Sequence, residues 1–122
     1  MNYHEIPELS NFYFEDSYVL AIEEGIRSLT FKLEAVVLES HPMYEKPVTS
    51  EQYCYRKISL CFLNVDSFEW IDRRFIAFSD SSGETDYGNI DSFSSSDDGY
   101  TLSGDWGKVI VNGKAIKMAV TY

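Results

Sequence analysis

The run LTFKLEAVVLE, residues 29 to 39, constrains the fold of this chain more than any other stretch. Leu29, Phe31, Leu33, Ala35 and Val37 share one parity, while Thr30, Lys32 and Glu34 take the other. Successive side chains of an extended chain point to opposite faces, so this pattern describes a strand with one face in a core and one in water. The preceding run SYVLAIEE puts Tyr18, Leu20 and Ile22 on one face, and Gly25 falls in the break between the two runs. An antiparallel hairpin is the expected result.

Further along, Pro42 and Pro47 in SHPMYEKPVTSE remove backbone donors and predict a loop or edge connection. QYCYRKISLCFLNV reads as a long strand whose poor alternation suggests that both faces are covered. DSFEWIDRRFIAF is ambiguous. Asp66 with Glu69 has the form of a capping box, and Phe68, Ile71 and Phe75 have helical spacing, so a short helix or turn followed by a strand over residues 75–78 is expected.

Asp98-Gly99 is a strong turn signal between a strand carrying Ile90 and Phe93 and the run YTLSG. Tyr100, Leu102 and Trp106 then share even parity, whereas Val109 and Val111 are odd, which predicts a bulge or bend near Gly104 and Gly107. Asn112-Gly113 has the form of a type I′ turn joining KVIV to AIKMAVTY in a closing hairpin. Hairpins without strand–helix alternation give a mainly β chain, an antiparallel β sandwich or β roll with room for one short helix.

At 122 residues, residues 1–122 are expected to form a single domain. Cys54 and Cys61 have opposite parity in an extended run, so they cannot easily pair, and their neighbourhood lacks ligands for a CxxC-type zinc site. Two unpaired thiols fit a reducing compartment. The start MNYHEIPELSNFYFED has no basic and apolar leader pattern, and no segment approaches a membrane span, so a cytoplasmic location is expected.

Twenty acidic against ten basic residues give a formal charge of −10, which disfavours nucleic acid and anionic membranes as partners. The imbalance is concentrated. Between Phe75 and Gly107 stand Asp80, Glu84, Asp86, Asp91, Asp97, Asp98 and Asp105 with no Lys or Arg. As a calcium loop this stretch fails: a frame from Asp80 has Thr85 where the turn needs Gly, and one from Ser94 begins with Ser and ends with Asp. No metal or other cofactor is therefore expected. Carboxylates mixed with Tyr87, Tyr100 and Trp106 are instead ingredients of a docking surface for a cationic partner; the alternative is a solvated loop face over core aromatics.

His4 and His41 have no local nucleophile or ligand partner, and no phosphate loop, HExxH, GxSxG or CxxC is present, which disfavours an enzyme. Paired carboxylates able to serve a glycosidase are numerous, but without a cleft their number decides nothing. Exposed aromatics on a sandwich could also stack on sugars.

FYFEDSYVLAI, residues 12 to 22, and GDWGKVIV, residues 104 to 111, resemble segments of small bacterial β-rich proteins, among them immunity proteins that neutralise toxins delivered between competing bacteria. The resemblance carries no catalytic residue. With the acidity, it implies a protein that occludes a basic toxin domain, such as a nuclease, through Asp80, Glu84, Asp86, Tyr87, Asp91, Asp97, Asp98, Asp105 and Trp106. The alternative is a non-catalytic ligand-binding or housekeeping module for carbohydrate or calcium. A homodimer through an edge strand such as IKMAVTY stays open.

Overall fold

The structure is a computed structural model that describes residues 2–47, 53–74, 76–79 and 85–120. A short 3-10 turn at Tyr3–Glu5 precedes the strands. In chain order these are β1 (Phe12–Gly25), β2 (Ser28–Val37), β3 (Cys54–Leu63), β4 (Ser67–Ile71), β5 (Phe78–Ser79), β6 (Thr85–Asp86), β7 (Ile90–Ser95), β8 (Gly99–Gly104), β9 (Gly107–Asn112) and β10 (Ala115–Val120). One antiparallel sheet has the order β1-β2-β3-β10 and the other β4-β9-β8-β7, with β5 and β6 forming a small separate ribbon. The two four-stranded sheets pack face to face as a β sandwich.

The alternation of Leu29, Phe31, Leu33, Ala35 and Val37 is realised in β2, where all five are buried. Beside it, Ile58, Leu60 and Phe62 of β3 fill the same inner face. Across the core, Phe31 meets Trp106 at 5.1 Å between ring centroids, and Phe62 meets Tyr100 at 5.1 Å and Phe93 at 6.1 Å. Such tilted and edge-on contacts are the favoured geometries of buried rings. Cys54 is buried and Cys61 half-buried, both as free thiols.

Several expectations are corrected. β1 and β2 do form the hairpin, closing at Gly25 opposite Ser28. The even-parity face of Tyr18, Leu20 and Ile22 is broken, however, because Val19 is buried and Tyr18 exposed. β1 advances from Tyr13 to Tyr18 while β2 moves only from Val36 to Glu34, and a second register shift follows at Val19 to Ala21. A bulge exchanges the two faces of a strand, which local parity cannot anticipate.

The segment from Asp66 forms no helix. Ser67–Ile71 is strand β4 on the edge of the second sheet, with Phe68 and Trp70 turned inward and Ser67, Glu69 and Ile71 outward. Pairing with β9 satisfies its backbone, so period 2 prevails over the helical spacing. Strand structure resumes at Phe78, while Phe75 lies outside the described residues.

The predicted bend near Gly104 and Gly107 is a full chain reversal: the two glycines face each other across a two-residue turn made by Asp105 and Trp106. Gly107 has φ +116°, a left-handed value that favours glycine.

Asn112-Gly113 makes no hairpin. β9 is already paired on both sides, by β8 and β4, so its edges are taken and β10 crosses to the other sheet to pair with β3. The crossover is pinned by Gly113 N–H donating to the Asp98 carbonyl at 2.9 Å and by the Tyr100 hydroxyl donating to the Lys114 carbonyl at 3.0 Å.

Candidate functional site

The bulge of β1 builds one wall of an open groove of about 540 Å³. Where β1 leaves register, two backbone N–H groups lose their ladder partners and side chains replace them. Val36 N–H donates to Ser17 Oγ at 3.0 Å, and that hydroxyl donates to the Tyr13 carbonyl at 2.7 Å. Phe14 N–H donates to the Tyr3 hydroxyl at 3.0 Å, and Tyr3 in turn donates to the Glu15 carboxylate. The distortion therefore costs little in unsatisfied backbone, and it brings Glu15 and Asp16 into the groove lining.

Tyr53, Tyr55 and Tyr18 stand beside them, with Tyr18 and Tyr55 at 6.0 Å and Tyr53 and Tyr55 at 6.2 Å between centroids, the latter pair edge to face. The Tyr53 hydroxyl donates to Asp16 Oδ2 at 2.8 Å, and this bond to the anion is the first cause holding its pKa above the usual 10.0. Tyr55 is pushed up to about 12, chiefly by burial and next by Tyr18.

The rest of the lining comes from Ser79, Asp86, Gly88, Asn89 and Asp105. The chain at Tyr87 and Gly88 is sewn to β1: Tyr87 N–H donates to the Val19 carbonyl and Val19 N–H to the Gly88 carbonyl, both at 2.8 Å. Asn89 Nδ2 donates to the Glu15 carbonyl at 2.8 Å. Gly88 N–H holds Asp86 Oδ1 at 2.8 Å, and Asn89 N–H holds Asp105 Oδ2 at 3.4 Å. Gly88 has φ +94°, and a Cβ there would come within 2.2 Å of Asp105 Oδ2, so glycine is required for the carboxylate to sit where it does.

Four carboxylates, of Glu15, Asp16, Asp86 and Asp105, thus share a groove whose described lining includes no cationic side chain. Among the described residues none of the four takes part in an ion pair, whereas Glu23, Glu24, Glu45 and Asp66 do. Among the described residues, too, no group of three or more His, Cys, Asp or Glu side chains is placed to hold a metal ion.

The structure divides the acidic stretch rather than assembling it into one face. Asp86 and Asp105 meet in the groove. Asp91 is exposed on the outside of β7, next to Ile90, which pairs with Gly104. Asp97 and Asp98 are exposed in the β7–β8 turn, at the opposite end of that hairpin from Asp105. Asp80 and Glu84 lie outside the described residues.

Tyr87 is half-buried against the core. Trp106 is corrected as a contact residue: it is 0% exposed, packed between a tilted Phe31 ring and an edge-on Trp70 ring, because the tight turn after Gly104 folds its indole inward. Tyr100, another aromatic of that stretch, is also buried.

Glu15, Asp16, Tyr18, Tyr53 and Tyr55 were not among the sequence-derived site residues. One signal was available: three consecutive polar residues, Glu15, Asp16 and Ser17, interrupt an otherwise apolar strand, as a bulge would.

A smaller pocket of about 160 Å³ lies between the N-terminal segment and β10, with His41 in its wall. His41 Nδ1 accepts the Met43 N–H at 2.9 Å, and burial first, then Arg56, holds its pKa below the ordinary value. Among the described residues, no helix is long and apolar enough to cross a membrane.

The fold and site define an antiparallel β sandwich with an acidic, tyrosine-walled groove. No family model, curated protein or solved structure matches the chain.

Proposed function

We propose that this protein is an immunity-type inhibitor that binds a basic toxin domain, such as a nuclease, and occludes it. The observation that carries this reading is the groove itself. Four carboxylates without a cationic partner among the described residues line a concavity that Tyr18, Tyr53 and Tyr55 also line. Unpaired like charges steer and orient a partner of opposite sign, while aromatic rings give the contact its anchoring area. The docking surface is narrower than the whole acidic stretch: Asp16, Asp86 and Asp105 form its centre, and Asp97 and Asp98 act only as distant charge. A second reading, a carbohydrate-binding module, draws on the same tyrosine faces but requires no cation and little dependence on salt.

The test uses affinity capture from the native cell with the wild-type protein and with the variant Asp16→Lys/Asp105→Lys, which alters two exposed side chains. A basic protein retained stoichiometrically by the wild type, released by salt and lost with the variant is the expected result. Retention of the same protein by the variant at undiminished rate and affinity would remove the groove from the docking surface.

A further inference from the structure

Resting on the reading of the groove as a receptor for a basic protein, we propose that the group it receives is an arginine side chain rather than a lysine. The groove is open, so its carboxylates remain hydrated, and ion pairing in such a place contributes about 0–1 kcal/mol whichever cation arrives. Charge alone therefore cannot choose between the two residues. The tyrosines can.

The Tyr18 and Tyr55 planes are inclined by 33° and Tyr53 stands at 86° to Tyr55, so the three rings lining the groove beside its carboxylates are set at different angles and do not form a parallel-walled cage. A guanidinium is flat and weakly hydrated. It can lie on a ring face while its edge N–H groups reach carboxylate oxygens. An ammonium is compact and strongly hydrated, and gains less from a flat wall.

The acceptors are also positioned for an edge-on donor. Asp16 is held through Oδ2 by the Tyr53 hydroxyl, Asp86 through Oδ1 by Gly88 N–H, and Asp105 through Oδ2 by Asn89 N–H. Among the described residues, no hydrogen bond engages the second oxygen of any of the three. These three anions line the same groove from β1, β6 and the β8–β9 turn, and a guanidinium offers them a fixed fork of in-plane donors while its face stays free for a ring.

The experiment titrates the folded protein with N-acetyl-arginine amide and, separately, N-acetyl-lysine amide at fixed ionic strength. NMR follows the Gly88 and Asn89 amides and the Tyr53 and Tyr55 rings. The arginine probe should bind on the order of two- to five-fold more tightly, the factor that an exposed cation–π contact supplies. Tyr55→Leu should abolish the difference while both probes keep their weak, salt-sensitive response, and Tyr55→Phe, which retains the ring, should preserve it. Equal affinities in the wild type, a preference that survives Tyr55→Leu, or no saturable response to the arginine probe would each overturn the proposal. Equal affinities would leave the reading of a cationic partner standing. Loss of that reading in the capture experiment, with the arginine preference intact, would separate the two the other way.

Discussion

Replacing Ser17 with alanine tests whether a single hydroxyl sustains the β1 bulge and, through it, the groove. Ser17 is fully buried, donates to the Tyr13 carbonyl at 2.7 Å and accepts from Val36 N–H at 3.0 Å. Alanine removes both bonds at once. Val36 is 1% exposed, so water cannot replace the lost acceptor, and an orphaned buried N–H costs about 1–3 kcal/mol. Tyr13 is only half-buried and its carbonyl has a second lone pair, so that loss belongs at the low end of a hydrogen bond's net worth, roughly 0.5 kcal/mol. Deleting the buried hydroxyl itself recovers part of its desolvation, which offsets a similar amount.

The expected net loss is about 2 kcal/mol. With a urea m-value of roughly 2 kcal/mol/M, the midpoint falls by about 1 M with m unchanged. Hydrogen exchange should show the Val36 amide losing protection while the β3–β10 pairing keeps its own. As a control, Ser92→Ala, which breaks an exposed Ser92–Ser103 hydroxyl contact, should change stability by less than about 0.5 kcal/mol. If Ser17→Ala matched the wild type within that margin and Val36 stayed protected, the bulge would not depend on this side chain and the argument would fail.

Trp106 and the tyrosines give two further outcomes. Among the described residues the buried Trp106 Nε1 has no hydrogen-bond partner, so Trp106→Phe removes an unmet donor along with some volume. It should cost less than about 1.5 kcal/mol in urea unfolding, whereas Trp106→Ala should cost about 3–5 kcal/mol; a phenylalanine variant as damaged as the alanine one would contradict this. Burial raises the pKa of Tyr3, Tyr55 and Tyr100 above the ordinary 10.0, pushing Tyr55 up to about 12. The folded state therefore keeps phenolic protons that the unfolded chain releases, so stability is full below pH 10 and falls as pH rises from there through about 12. Urea midpoints at about pH 8 and pH 11 should show the decline, and an unchanged midpoint would refute it.

How far the site could be read in the residues differs from element to element. Parity alone placed β2 and its inward residues, and Gly25 marked the first hairpin, because alternation and turn chemistry act between near neighbours. Asp98-Gly99 marked the β7–β8 reversal for the same reason. The charge asymmetry between Phe75 and Gly107 was equally plain. It brought Asp86 and Asp105 to attention, but not the fact that Asp97 and Asp98 lie at the other end of their hairpin.

Tertiary structure decided the rest. Phe68, Ile71 and Phe75 fit a helix as written, yet β9 offered an edge that made Ser67–Ile71 a strand. Asn112-Gly113 has the composition of a hairpin turn, yet both sides of β9 were occupied and the chain had to cross to β3. The groove draws on residues 15–18, 53–55, 79, 86–89 and 105, which meet only once the bulge at Ser17 has displaced β1 and the Tyr87–Gly88 backbone has bonded to Val19. By itself the sequence determined which residues prefer a core, where several turns fall and the sign of the surface charge. Which strand edges were free, and therefore which carboxylates and rings became neighbours, depended on pairings between segments far apart in the chain, and local periodicity carries no information about those.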